Sequence, residues 1–376
     1  MRLNRKTKWM AVSGAMTLIP LFLLAVWLWS VFPKRVVGNY FDSAGVRIHY
    51  TDEGRGTPLV LIHGFAINAD LQWRSIGLTQ TLSKDYRVIA PDLRGHGLSD
   101  KPRDPAMYGA RMADDIVRLL DHLNIAKAHV VGYSFGGFVT LKLAAAHPER
   151  LLSAAVCGAG WEKPSVDNQT FAEAVAKALE TGEGFGPLNQ RLGLPPEPAR
   201  LRTRFLIKLI LYCLNDRHAL AAVMRGGLGL AVTEDELRAN RVPVLAMIGE
   251  KDGLRPGAEE LGKRMANCTL VIIEGGGHMK TTEKPAFLAE LQAFLAKHTP
   301  VKNDSALMVR PGARRTVALN RNEKACGVGC DLPKPTICTY PKCVFRKRWV
   351  SEDLNPPYKV ASFSSHVLPR RMYCTW

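Results

Sequence analysis

The chain opens on an unbroken apolar stretch. Trp9 to Phe32 is 24 residues without a charge. As a helix at about 1.5 Å per residue it would span roughly 36 Å, enough for a hydrocarbon core of about 30 Å. Trp9, Trp27 and Trp29 sit where interfacial aromatic anchors belong. The run exceeds the 7–15 apolar residues of a cleaved signal, and no small-x-small site follows it. Residues 1–35 are therefore read as an uncleaved single-pass membrane anchor, with a signal sequence as the alternative. Four Lys/Arg precede the span, against Lys34, Arg35 and Arg47 after it. This bias of one charge places the N-terminus inside and the body extracytoplasmic.

The pattern then changes to short apolar runs separated by glycine-rich loops. Val36 to Tyr50 reads as paired strands with a turn near Asp42-Ser43-Ala44-Gly45. Pro58–His63, Tyr86–Pro91, His129–Gly132, Leu152–Cys157, Val244–Gly249 and Thr269–Ile273 read as buried strands. Between them, Met112, Ile116, Leu119 and Leu123 recur at helical spacing, as do Phe287, Leu291, Phe294 and Leu295. Alternating strands and helices predict an α/β fold with a mostly parallel sheet and helices on both faces. Ligands of such sheets bind at the carboxyl ends of the strands, so the chemistry should follow the apolar runs.

It does. Gly132-Tyr133-Ser134-Phe135-Gly136 is a G-x-S-x-G stretch between a strand and a helical run. A strand-to-helix turn of this kind holds a serine hydroxyl clear of the sheet, and the glycines let neighbouring backbone pass. The hydroxyl needs a base. His278 ends the glycine-rich loop after the TLVII strand, and Asp252 follows the VLAMIG strand. Their expected roles are proton carrier and orienting acid. The chain order Ser134, Asp252, His278 is that of an α/β-hydrolase. Glu250 is the rival acid, but Asp252 has the longer loop for reaching the histidine. Gly158-Ala159-Gly160 offers no acid after the preceding strand. His63 and His96 also lie in strand-end loops, and His96 reads as a hydrogen-bonded loop histidine rather than a base. Oxyanion donors are expected from the backbone N–H groups of Phe135 and Phe65.

With LIHGF, PDLRGHGLSDKP, GYSFGG, GEKD and GGGH in place, residues 37–298 closely resemble the α/β-hydrolase superfamily. The resemblance implies Ser134 as nucleophile, Asp252 as acid, His278 as base and the two amides as oxyanion hole. Serine at 134 argues against epoxide hydrolases and haloalkane dehalogenases, which use a carboxylate. Carbon–carbon hydrolases of aromatic ring cleavage are the nearest rival. They typically carry Asn before the serine and Trp after the histidine, where this chain has Tyr133 and Met279. Residues 161–240 interrupt the strand series and correspond to a helical cap over the site. Within the cap, Phe205 to Leu214 has Lys208 as its only charge. It reads as cap packing, or as a segment that lines an acyl tunnel or touches lipid.

Charge divides the chain the same way. The net charge of +17 splits into +6 on 1–35, +2 on the hydrolase body 36–300 and +9 on 301–376. The near-neutral body lacks nucleic-acid motifs, so nucleic acid is not expected as a partner. Residues 301–376 lack periodicity and read as a disordered basic tail. Its Cys326, Cys330, Cys338, Cys343 and Cys374 could bind zinc or form disulfides, although neither spacing is a strong zinc signature. The expected activity is hydrolysis of a carboxylic ester or thioester of a small, apolar or lipid-like molecule, without cofactor or metal. Tyr133, Met279 and Trp161 are the expected substrate-pocket residues, beside Phe65 and Phe135. The different-class alternative is a noncatalytic ligand-binding protein that retained the fold.

Overall fold

A computed structural model describes residues 38–195 and 215–300. The membrane-anchor span, the Phe205–Leu214 segment and the tail with its five cysteines lie outside the described residues. Among the described residues no helix is long and apolar enough to cross a membrane.

Eight strands form one sheet in the order β1-β2-β4-β3-β5-β6-β7-β8. Strands β1 (Asn39–Ser43) and β2 (Val46–Glu53) make the expected hairpin. Its two-residue turn, Ala44-Gly45, has φ of 53° and 84°, the sense that matches strand twist. β2 pairs antiparallel with β4 (Tyr86–Pro91). All further pairings are parallel, through β3 (Thr57–Ile62), β5 (Ala128–Tyr133), β6 (Leu151–Cys157), β7 (Val244–Gly249) and β8 (Cys268–Ile273). From β3 the chain steps to β4 on one side, and β5 returns on the other. The carboxyl ends of β3 and β5 therefore flank the point where strand order reverses, which is where an open α/β sheet holds its ligand.

The strands are apolar on both faces, and their period of two sorts the core into two layers. Val60, Ile62, Val130, Val156 and Ala246 face one cluster, with Met112, Ile116 and Val139. Leu59, Leu61, Val131, Cys157 and Met247 face the other, with Trp73, Phe287 and Leu291. The helices supplying these side chains follow the strands: α1 (Leu78–Leu82), α2 (Ala110–His122) and α3 (Phe135–Ala146), then α4 to α7 in the segment between β6 and β7, then α8 (Arg255–Arg264) and α9 (Pro285–His298).

The β6–β7 segment holds α4 (Val166–Thr181), α5 (Gly186–Arg191), α6 (Arg217–Gly226) and α7 (Glu234–Ala239). Ser165 caps α4 by accepting from the Asn168 amide, and Asp216 caps α6 through the amides of His218 and Ala219. Small residues on the facing sides, Ala176 on α4 and Ala221 on α6, let these helices approach around Val175, Leu179 and Leu220. Arg225 on α6 then grips Glu173 and Glu180 on α4.

One buried ion pair escapes a hydropathy reading. Asp115 sits on the inward face of α2, and its carboxylate takes a two-pronged contact from the buried Arg94 at 2.6 and 2.5 Å. The Ser43 hydroxyl donates to it at 2.5 Å. The pair ties the loop after β4 to α2 and β1. Removing one partner strands a buried charge, which costs about 3–5 kcal/mol. Asp115→Ala is therefore expected to lower the unfolding free energy by about that amount, read from the urea midpoint of the full chain.

Candidate active site

Ser134 follows β5 directly and precedes the first residue of α3. Its backbone is held at φ 54°, ψ −118°, a region that costs a non-glycine residue of order 1–3 kcal/mol. Close packing enforces it. A side chain at Gly132 would lie 2.0 Å from the Gly136 carbonyl oxygen, and one at Gly136 would lie 2.3 Å from that of Ile62. The Ser134 amide donates to the Cys157 carbonyl at 2.7 Å, and its own carbonyl accepts from Gly137 at 2.8 Å.

The three residues picked from strand ends converge. Ser134 Oγ lies 2.8 Å from His278 Nε2, and His278 Nδ1 lies 2.9 Å from Asp252 Oδ2. Both Asp252 and His278 are buried. The second carboxylate oxygen of Asp252 accepts from the Leu254 amide at 2.9 Å. Two loops must meet for this, and backbone bonds join them: the Glu250 amide donates to Ile273 O at 3.0 Å and the Lys251 amide to Gly276 O at 2.8 Å. The rival acid, Glu250, is spent on the same junction, accepting from the Gly275 amide at 2.9 Å.

Comparison with known proteins identifies the fold family. A family model described as alpha/beta hydrolase fold matches residues 57–285. The chain belongs to the α/β-hydrolase family. Among its relatives, the 2-hydroxymuconate semialdehyde hydrolase of Pseudomonas sp. (strain CF600) is 39% identical over 148 residues, 36% of this chain and 52% of that enzyme. The chain thus matches about half of that relative's length. The pimeloyl-[acyl-carrier protein] methyl ester esterase of Aliivibrio fischeri (strain ATCC 700601 / ES114) is 29% identical over 271 residues, 67% of this chain and 98% of that one. A solved structure of a thermophilic esterase from Thermogutta terrifontis superposes with a TM-score of 0.58 at 25% identity, covering 71% of this chain and all of the other.

The loop after β3 of this α/β-hydrolase passes over the serine. A side chain at Gly64 would meet Ser134 Cβ at 3.4 Å, and the ring of Phe65 packs 6.0 Å from that of Phe135. Phe135 opens α3, so its N–H is among those a helix leaves without an internal acceptor. Strand-end position alone leaves the part played by the fully buried His63 open; its partners reveal it. The Leu93 amide donates to its Nε2 at 2.9 Å, so Nδ1 carries the proton and donates to Gly64 O at 2.7 Å. In a trans peptide this turns the Phe65 N–H the opposite way. His96 is the hydrogen-bonded loop histidine expected, with Nδ1 3.1 Å from Arg94 O. Its ring lies against those of Phe65 and Phe135.

A cavity of about 500 Å³ reaches Ser134, with Phe65, Phe135 and Trp161 among its walls. Two of the expected pocket residues are not there. Tyr133, at the end of β5, points to the opposite face of the sheet because side chains alternate along a strand. It packs on Trp73 and Phe287, and its hydroxyl donates to the His278 carbonyl. It therefore braces the histidine loop from behind. Met279 is 62% exposed and lies outside the cavity lining. It follows His278 at the point where the loop turns outward. The lining residues Phe138, Leu141, Glu162 and Arg191 are additions that strand-end reasoning does not reach, since they lie along a helix or in the cap.

Burial shifts two histidines beside the site, His63 and His96. Burial lowers His63 below its ordinary range. Burial, reinforced by the neighbouring His63, pushes His96 down to about 3. The unfolded chain binds a proton at each below pH about 6.5, while the folded chain does not, so stability rises with pH across that window and is lost on acidification. His96→Leu is therefore expected to flatten the fall in stability between pH 6.5 and 5 by about 1.4 kcal/mol per pH unit, measured by urea titrations at several pH values.

Proposed function

We propose that this α/β-hydrolase is a serine hydrolase that cleaves a carboxylic ester or thioester with an apolar acyl group. The observation that carries the reading is the unbroken line from Ser134 Oγ through His278 to the Asp252 carboxylate, 2.8 and 2.9 Å. Ser134 Oγ attacks the carbonyl carbon while His278 Nε2 takes its proton. Asp252 steadies the imidazolium, and the Phe65 and Phe135 amides receive the oxyanion. Collapse of the tetrahedral adduct breaks the bond to the leaving group, which takes the proton from Nε2. Water, deprotonated by the same nitrogen, then attacks the acyl-serine; collapse of that second adduct breaks the bond to Ser134 Oγ, which takes the proton back from Nε2 as the acid leaves.

Carbon–carbon cleavage is the second reading, supported by the 39% identity to 2-hydroxymuconate semialdehyde hydrolase. The cavity favours the ester. Its lining is largely apolar, and among the described lining residues the one cation, Arg191, is already paired with Glu162. An anionic ring-cleavage product would need a cation to offset its desolvation.

Ser134→Ala is expected to abolish labelling by a fluorophosphonate probe and to reduce ester turnover at least a thousandfold, and Asp252→Asn to reduce kcat about ten-thousandfold. Ser134-independent labelling would contradict the assignment. We also propose that residues 1–35 anchor the chain, with the body extracytoplasmic and no nucleic-acid partner. A carbonate-washed membrane fraction should retain the full chain, and truncation of residues 1–35 should release it.

A further inference from the structure

We propose that the cavity is a blind acyl arm floored by Leu141, which sets a preference for uncharged acyl chains of about six to eight carbons. The inference rests on the serine hydrolase reading and names its substrate class. Helix α3 starts beside Ser134, and Phe135, Phe138 and Leu141 all line the cavity. The cavity thus descends along α3 from the nucleophile. Six helical rises of about 1.5 Å separate the first and last of these residues, about 9 Å along the axis, the reach of an extended chain of about seven carbons.

The two ends of the lining differ. Leu141, Leu230, Val232 and Trp161 are all buried at 5% exposure or less. Val166, Ser165 and Gln169, from the start of α4, are exposed. The cavity is therefore closed at the Leu141 end and open at the α4 end. The closed end is also stiff. The Trp161 indole N–H donates to Val232 O at 2.8 Å, and the Arg264 guanidinium lies 4.6 Å over its ring. Leu141 belongs to the main core cluster. A chain longer than the arm would have to displace packed core, which resists expansion.

Among the described lining residues, charge is confined to the rim. Glu162 and Arg191 pair with 30% and 31% of their side chains exposed, and the Arg191 guanidinium also sits 4.7 Å over the Phe171 ring. A carboxylate carried to the Leu141 end would lose its hydration and meet no cation among the described lining residues. Half-esters of dicarboxylic acids are therefore excluded, and simple fatty acyl groups accepted. Each methylene seated in the arm should raise kcat/KM about fourfold until the floor is met.

The test is a panel of p-nitrophenyl esters from acetate to laurate with the full chain, beside the mono-p-nitrophenyl ester of suberic acid. The wild type should peak at hexanoate to octanoate, fall at laurate, and disfavour the suberate half-ester at least a hundredfold against octanoate. Leu141→Trp should cut the octanoate-to-acetate ratio of kcat/KM at least tenfold. Val232→Phe, at a second buried lining residue of the same core cluster, should act likewise if the first variant folds poorly. Leu141→Ala should move the maximum to longer chains. Rates that climb through laurate, or ratios unmoved by both filling variants, would overturn the arm while leaving the serine hydrolase reading in place. Absence of fluorophosphonate labelling of the wild type would overturn that reading, and the arm with it.

Discussion

The site depends on a serine held where serines rarely sit. Ser134 occupies a positive-φ conformation at the end of β5, and it stays there because the backbone of β3 and the first turn of α3 crowd in on glycines 132 and 136. That close approach does three things together. It lifts the hydroxyl out of the sheet, starts α3 with a free amide beside it, and brings the loop after β3 across it. The local strain is offset by two layers of apolar packing that fix β3, β5 and α3 relative to one another. The chemistry of the site thus rests on backbone packing in the centre of the sheet more than on any side-chain contact.

Around that turn the polar groups are arranged to stay fixed. Each ring nitrogen of His63 has one backbone partner, which orients the Gly64–Phe65 peptide. Asp92 binds the amides of Ala69 and Leu98 and the ring of His49, joining the loops after β3 and β4. The Arg94–Asp115 pair pins the same loop to α2. Together they form a shell behind the Gly64–Phe65 loop, and burial holds its His63 below the ordinary histidine range. The proposed reaction needs rigid donors before charge develops, since donors that must reorganise give back part of what they stabilise.

Much of this was legible in the sequence, for identifiable reasons. Buried parallel strands are short apolar runs, and each run from Pro58 to Ile273 proved to be a strand within a residue or two. Ser134, Asp252 and His278 could be chosen because each follows such a run, and the structure brings them within hydrogen-bond distance. Tyr133 and Met279 went astray because adjacency in sequence is not adjacency in space. A strand alternates faces, and a loop can turn its next residue to solvent. Arg94 and Asp115 were invisible because charge reads as surface unless the partner is known. The cavity floor depends on which side of α3 the cap covers, and the weak apolar stripe of that alanine- and glycine-rich helix gives no sign of it.

The central claim is that Ser134 carries the acyl group during turnover. Rapid-quench intact-mass spectrometry of the full chain with an excess of p-nitrophenyl hexanoate tests it most directly. A transient species heavier by one hexanoyl group, mapped to the peptide containing Ser134, should form and decay at rates matching turnover. Steady ester hydrolysis with no acylated protein, or acylation mapped to another residue, would contradict it.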